Sequence, residues 1–389
     1  MASAPEPLEF ERVVRERYAA AAESREAALC CAVEYDPAHL KAIPREVLER
    51  DYGCGDPSRH LRPGDRVLDL GSGSGKLCFI AAQVVGPEGR VIGIDANEPM
   101  LALARRAAPV VADRIGYANV EFRRGRIQDL ALDCDRFDAW LRENPVGGVA
   151  DLDALEHAAE RLRREHPLVP DGAIDIVVSN CVLNLVRPSQ KPRLIREIHR
   201  VLAAGGRIAI SDIVSDEPVP EALQADPELW SGCVSGAFQE RELLGALEEA
   251  GFHGIALDRW TEAPFRVVDG IEFRSVTVTA RKGEGGPCLE ANQAVIYRGP
   301  WRQVEDDDGH VLRRGERSAV CDRTYRRLTA APYARDVIPI EPRVPVPAAE
   351  RQPFDCRRTA PRDPRETKGR DYAESRAPAS GDCGPADCC

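Results

Sequence analysis

From Val67 to Gly75 the chain reads Val-Leu-Asp-Leu-Gly-Ser-Gly-Ser-Gly, and no other run narrows the fold as far. The apolar stretch Arg66–Leu70 suits a buried strand. Glycines at alternate positions then allow a tight turn into the helical pattern that begins at Lys76. Strand, glycine turn and helix in that order open a parallel α/β sheet, with the turn free to approach a ligand closely. The alternation continues along the chain. Arg90–Asp95, Val120–Arg124, Ile174–Ser179 and Arg207–Ser211 are predicted strands, and Lys76–Val85, Pro99–Ala108, Gln190–Leu202 and Glu240–Ala250 carry helical spacing. Ala204-Gly205-Gly206 and Gly251 read as glycine caps closing the last two helices. The fold class is α/β, a Rossmann-like doubly wound sheet with a smaller α+β C-terminal region.

Around this centre the organisation is as follows. Residues 1–60 form an N-terminal segment, helical over 8–34 and again over 44–50, carrying cysteine-bearing loops. Residues 61–260 are the ligand-binding sheet, interrupted by a charged helical insertion at 131–170. Residues 261–340 are a β-rich C-terminal domain, since Ile271–Ala280 alternates β-branched residues and Glu305-Asp306-Asp307-Asp308-Gly309 reads as a hairpin tip rather than a metal site. From 341 to 389 proline, arginine and small residues dominate, which predicts a disordered tail ending in Cys383, Cys388 and Cys389.

With 389 residues the chain has no need of disulfide staples, so its 13 cysteines are expected to be reduced thiols in a cytoplasmic setting. No apolar run reaches membrane-spanning length, and the N-terminus lacks the pattern of a signal peptide. The net charge of −11 disfavours a nucleic-acid partner.

The glycine spacing separates two kinds of nucleotide site. A dinucleotide loop more often reads Gly-x-Gly-x-x-Gly, whereas here Gly71, Gly73 and Gly75 stand at Gly-x-Gly-x-Gly. Asp69 in the strand end suits a sulfonium or amino group better than a pyrophosphate, and Asp95 closes the next strand where a carboxylate can accept ribose hydroxyls. In this order these residues resemble the class I S-adenosylmethionine-dependent methyltransferases. The resemblance implies cofactor contacts from Asp69, Gly71, Ser72, Gly73, Gly75, Asp95, Ala96, Met100, Ile127, Gln128 and Asn180, with Gln128 near the adenine. A purely structural loop and a nicotinamide dehydrogenase are the alternatives, and no hydride-transfer pair supports the second.

Three cysteines add a second chemistry. Cys54 precedes the first strand, Cys181 follows the fourth and Cys233 follows the fifth, on loops able to meet at the carboxyl edge of the sheet. Thiolates there suit a soft centre, although each alone is equally a small buried hydrophobe. Tyr52-Gly53-Cys54-Gly55, Ser179-Asn180-Cys181-Val182-Leu183-Asn184-Leu185 and Gly232-Cys233-Val234-Ser235-Gly236-Ala237 resemble the arsenite methyltransferases. So do Glu197–Leu202, Phe273–Ala280 and Gln293–Tyr297. The resemblance implies methyl transfer to trivalent arsenic held by Cys181 and Cys233, with Cys54 binding or relaying by disulfide exchange. Cys30 or Cys31 fills the place of a further N-terminal relay thiol, and thioredoxin or glutathione is the implied reductant. The long insertion and Lys76, where arginine is commoner, depart from the family pattern. Another small-molecule or metalloid methyltransferase, and a non-enzymatic arsenic-binding protein, are the rival functions.

Overall fold

The computed structural model describes residues 7–26, 33–356 and 360–372, so Cys30, Cys31 and the three tail cysteines lie outside the described residues. The chain divides into two compact units, Met1–Gly283 and Glu284–Cys389.

In the first unit, β1 (Arg66–Leu70), β2 (Arg90–Asp95), β3 (Val120–Arg124), β4 (Ile174–Asn180) and β5 (Leu202–Ser215) run parallel in the order β3-β2-β1-β4-β5. The two-residue strand β6 (Phe238–Gln239) pairs with the end of β5. Strand β7 (Phe252–Trp260), the short β8 (Arg266–Val268) and β9 (Ile271–Lys282) complete the sheet. β9 lies antiparallel between β5 and β7.

Alternation along each strand sorts its side chains to two buried faces. Leu68, Leu70, Ile92 and Ile94 pack with Leu194, Ile198, Leu243 and Leu247 on one side. Val67, Val91, Ile176 and Val178 meet Leu77, Phe79, Leu101 and Ala104 on the other. The helices of this unit include α1 (Pro7–Glu23), α2 (Lys76–Val85), α3 (Glu98–Ile115), the insertion helices α4 (Cys134–Glu143) and α5 (Leu152–Glu165), α6 (Lys191–Val201) and α7 (Glu240–Glu249), of which α2, α3, α6 and α7 pack on the sheet. Asp69 shares the period of Val67 and therefore points from β1 toward α2, where hydrogen bonding and charge decide its state.

Several expectations are corrected by non-local packing. The helix expected at Pro99–Ala108 continues through Pro109 to Ile115, because Ala104, Ala107 and Val111 form one buried stripe and Asn97 caps its start. Gly205 and Gly206 do not cap a helix: α6 ends at Val201, and the chain bends within β5 at Gly205 (φ 74°). The boundary placed at residue 260 moves to Gly283, because β9 buries Phe273, Val276, Val278 and Ala280 in the main sheet.

The second unit has a three-stranded antiparallel sheet, β13 (Arg317–Ala319), β10 (Ala294–Tyr297) and β14 (Val337–Ile340). The hairpin expected at the acidic cluster joins β11 (Gln303–Glu305) to β12 (Val311–Arg313). Val295, Tyr297, Leu312, Tyr325, Leu328 and Val337 fill its core, with α8 (Asp322–Leu328) across them. Disorder from residue 341 is not what the structure has over the described stretches 341–356 and 360–372. The Ala319 amide bonds the Ala360 carbonyl, the Arg362 amide bonds the Arg317 carbonyl, and the Arg362 guanidinium, 6% exposed, bridges Glu290 and Glu366. Arginine there supplies buried ion pairs rather than solvated charge.

Candidate active site

The loop after β1 turns through left-handed backbone at Gly71, Gly73 and Gly75 (φ 67°, 51° and 89°), which excludes most other residues. Each glycine has its own reason. A Cβ on Gly71 would lie 2.5 Å from Val182, and one on Gly75 would lie 2.7 Å from the Phe122 ring, whereas one on Gly73 would meet nothing. Gly73 therefore faces the open cavity. Gly75 closes the contact between α2 and the sheet and does not line that cavity, so its share in the cofactor set is indirect.

That cavity, about 440 Å³, runs from the glycine loop to Cys181 and is lined by Asp69, Ser72, Gly73, Asp95, Ala96, Met100, Ile127, Gln128 and Asn180 among others. Among the described residues, two of its acids, Asp69 and Asp95, have no ion-pair partner, whereas Glu11, Asp51 and Asp138 are held by Arg187, Lys76 and Arg124. Burial pushes the Asp69 carboxyl up to about 8, opposed by a hydrogen bond from Cys78 Sγ (3.2 Å) and reinforced by Asp51 and Asp95. Asp95 is also raised by burial, although it accepts the amides of Gly73 (2.8 Å) and Asn97 (2.7 Å). Two buried carboxylates facing a cavity fit a ligand that brings positive charge, as a sulfonium and an α-amino group do. The Gln128 side chain donates to Gln190 Oε1 (3.0 Å) and sits at the far wall beside Ile127. Lys76, the residue that departs from the family pattern, is held by Asp51 (2.6 Å) and lies 4.2 Å over the Tyr35 ring. Helix α1 borders the cavity through Glu11, Arg15 and Tyr18, tied by Glu11 to Arg187 (2.9 Å) and by the Arg15 carbonyl to Asn97 (2.9 Å).

Cys54, Cys181 and Cys233 share one buried cluster with Ile213, Leu229, Val234 and Phe273. One segment, 180–184, assembles them. Asn180 Oδ1 accepts the amides of Cys54 (2.8 Å) and Gly55 (3.1 Å), and its Nδ2 donates to Tyr35 Oη (2.9 Å) and the Gly55 carbonyl (2.7 Å). Four positions later, Asn184 Nδ2 donates to the carbonyls of Ile213 (2.6 Å) and Cys233 (3.2 Å). The flanking glycines are spacers for this clamp. A Cβ on Gly53 would sit 2.3 Å from Asn180, on Gly55 2.4 Å from Ser211, and on Gly236 2.1 Å from the Asn184 carbonyl oxygen. Lys191 adds a hydrogen bond to the Gly236 carbonyl (2.7 Å).

Cys181 and Cys233 are two of the four non-glycine residues in left-handed backbone among the described residues (φ 57° and 61°), a strain of about 1–3 kcal/mol each that clusters at functional sites. In this state Cys54 and Cys181 are joined as a disulfide (Cα–Cα 5.9 Å), and Cys233 stays a thiol whose Sγ donates to the Cys181 carbonyl (3.0 Å) and lies 3.7 Å from Tyr18 Oη. An open cage of three thiolates is therefore not the state described; it requires reduction of this disulfide. Asn180 borders the cavity as expected of a cofactor-lining residue, and its amide bonds Tyr35 and the Cys54 loop. Replacing it by alanine strands the amides of Cys54 and Gly55 and is expected to destabilise the protein by about 2–4 kcal/mol, with faster alkylation of reduced Cys54. Thermal melting and thiol-labelling rates on the reduced chain measure both.

Sequence reasoning did not single out Glu11, Tyr18, Tyr35 or Arg187, which have no motif of their own. It also passed over Cys288, Cys321 and Cys356 in the second unit, whose Sγ atoms all lie within 4.8 Å of one another.

A parallel sheet with an antiparallel strand inserted at one end, a glycine turn after β1 and a cavity at its carboxyl edge holding two buried carboxylates define a class I S-adenosylmethionine-dependent methyltransferase. The family described as methyltransferase domain matches residues 61–166 and 164–251, and a domain of unknown function matches 284–372. An arsenite methyltransferase of Aquipseudomonas alcaligenes is 32% identical over 323 residues, 78% of this chain and 82% of that protein. One from Halobacterium salinarum is 32% identical, covering 71% and 68%. The crystal structure of CrArsM, an arsenic(III) S-adenosylmethionine methyltransferase from Chlamydomonas reinhardtii, superimposes with a TM-score of 0.53 at 26% identity, over 83% of this chain and all of that one. The chain belongs to the arsenite methyltransferase family.

Proposed function

We propose that this protein transfers a methyl group from S-adenosylmethionine to trivalent arsenic held on the thiolates of Cys181 and Cys233. The observation that carries the reading is the clamp of Asn180 and Asn184, which holds the Cys54 and Cys233 loops against Cys181 at the end of the cavity that Asp69 and Asp95 line. When bound, S-adenosylmethionine supplies an electrophilic methyl on a sulfonium. The glycine turn and Asp95 hold its polar parts, and ionised Asp69 balances its positive charge. Arsenite exchanges hydroxyls for Cys181 and Cys233, and the thiol protons leave in water. Arsenic keeps its lone pair and carries no proton to remove, so the site needs no general base. Its contribution is positioning, which makes the transfer effectively unimolecular.

Methyl transfer oxidises arsenic formally to the pentavalent state. Cys54 and Cys181 return two electrons by joining as a disulfide, and thioredoxin or glutathione then reduces that disulfide. The pairing of Cys54 with Cys181 in this structure supports such a relay, and Cys30 or Cys31 serves as a further exchange thiol. The test supplies methyl-labelled S-adenosylmethionine, arsenite and a thioredoxin system to the purified chain. Labelled methylarsenicals that disappear when the reductant is omitted are expected. Cofactor binding without labelled arsenic, under reducing conditions, sinks the reading.

A further inference from the structure

The second unit carries three thiols that the transfer chemistry does not use. Cys288, Cys321 and Cys356 each offer one sulfur, and the three atoms lie within 4.8 Å of one another. They come from segments far apart in sequence, and backbone bonds hold those segments in register. The Phe354 amide bonds the Cys288 carbonyl (2.8 Å), the Glu290 amide bonds the Gln352 carbonyl (2.7 Å) and the Asp322 amide bonds the Leu289 carbonyl (2.9 Å). The cluster is thus built by the fold. Cys321 is fully buried, while Cys288 and Cys356 are partly exposed and give access.

From this juxtaposition we infer that Cys288, Cys321 and Cys356 form a three-thiolate site for trivalent arsenic, separate from the transfer centre in the first unit. The choice of ion rests on the arsenic reading above and on the number of ligands. Structural zinc takes four protein ligands. No fourth histidine, cysteine or carboxylate joins this group among the described residues, and the nearby Asp322 carboxylate is engaged by Arg326 and Arg351 (both 3.0 Å). Trivalent arsenic takes three sulfurs at the base of a pyramid and keeps its lone pair at the apex. The exchange balances without an oxidant: three thiols and arsenous acid give one neutral trithiolate and three waters. Neutrality suits a half-buried site, where a zinc trithiolate would leave a net negative charge. Cys321 is fixed in place: its Sγ donates to Thr324 Oγ1 (3.3 Å) and accepts the Thr324 amide (3.3 Å).

The test uses the full chain, reduced with a phosphine, carrying Cys54→Ser, Cys181→Ser and Cys233→Ser so that the transfer centre cannot bind. Arsenite is added, excess is removed by desalting, and bound arsenic is counted by elemental mass spectrometry and examined by arsenic-edge X-ray absorption. About one equivalent in an all-sulfur, three-coordinate shell is expected. A further Cys321→Ser change should weaken arsenic retention at least ~10-fold. Serine is itself a favoured helix cap at that position, so folding is preserved, and circular dichroism checks it. Cys356→Ser, at a partly exposed position, should act the same way. Undiminished arsenic in both variants places it on other thiols and overturns the inference, as does tightly held zinc that arsenite fails to displace. Because the assay needs neither cofactor nor turnover, loss of methyl transfer in the unmodified chain would leave its outcome intact and count against the transfer reading alone.

Discussion

Cys181→Ser and Cys233→Ser are each expected to lower arsenite methylation by roughly 10³-fold or more while S-adenosylmethionine still binds, because ligands that act as a unit fail together. The serine hydroxyl is a hard ligand with no useful affinity for trivalent arsenic. The exchange of sulfur for oxygen alters neither the left-handed backbone at these positions nor their packing volume by much. The cofactor walls, built by β1, β2 and the glycine turn, are untouched. Isothermal titration with S-adenosylmethionine beside a labelled-methyl assay separates binding from chemistry. Cys54→Ser should differ. It should retain a single turnover on pre-reduced enzyme and fail to sustain cycling, since its proposed role is to take electrons through the bond to Cys181. Equal loss in single-turnover and steady-state assays would remove Cys54 from the relay and make it a ligand.

Asp69→Asn has the second large effect, and it moves two observables in opposite directions. A buried carboxylate facing a cationic ligand typically contributes about 2–5 kcal/mol, so the variant should bind S-adenosylmethionine roughly 30- to 4,000-fold more weakly. The same variant should melt a few degrees higher than wild type without cofactor above pH 8. Folding raises the Asp69 pKa from 3.8 to about 8. Between those values the folded state holds the proton and the unfolded state does not, so the contribution of this group to stability falls as pH rises from about 4 to 8. Asparagine removes that dependence. Cofactor binding favours the ionised carboxylate and should therefore strengthen with pH up to about 8 in wild type. The ligand's own amino group titrates in the same range, and the difference between wild type and Asp69→Asn isolates the aspartate. A pH profile identical in both would show that Asp69 is ionised before the cofactor arrives.

The legible parts of this protein are those whose cause is local. Arg66–Leu70, the glycines after it and Lys76–Val85 follow from an apolar run, positive-φ turns and helical spacing within a single stretch, and the structure has them at the expected residues. Asn180 and Asn184 were visible as members of a motif, but their work was not. What each amide bonds depends on Cys54 and Cys233, which return to β4 from distant parts of the chain. The ordered stretch after residue 340 was hidden for a related reason. Its arginines read as solvated charge until Glu290 and Glu366 are placed beside Arg362.

By itself the sequence determined the α/β class, the glycine turn, the acids at the ends of β1 and β2 and the three motif cysteines, because backbone conformation and short-range pattern act over a few residues. Only the tertiary structure decided that the Asn180 amide bonds Tyr35 and the Cys54 loop, that Cys54 and Cys181 lie close enough to bond, that β9 inserts between β5 and β7, and that Cys288, Cys321 and Cys356 converge. Each of these is a pairing across long loops, fixed by which buried surfaces and hydrogen-bonding groups find partners when the whole chain closes.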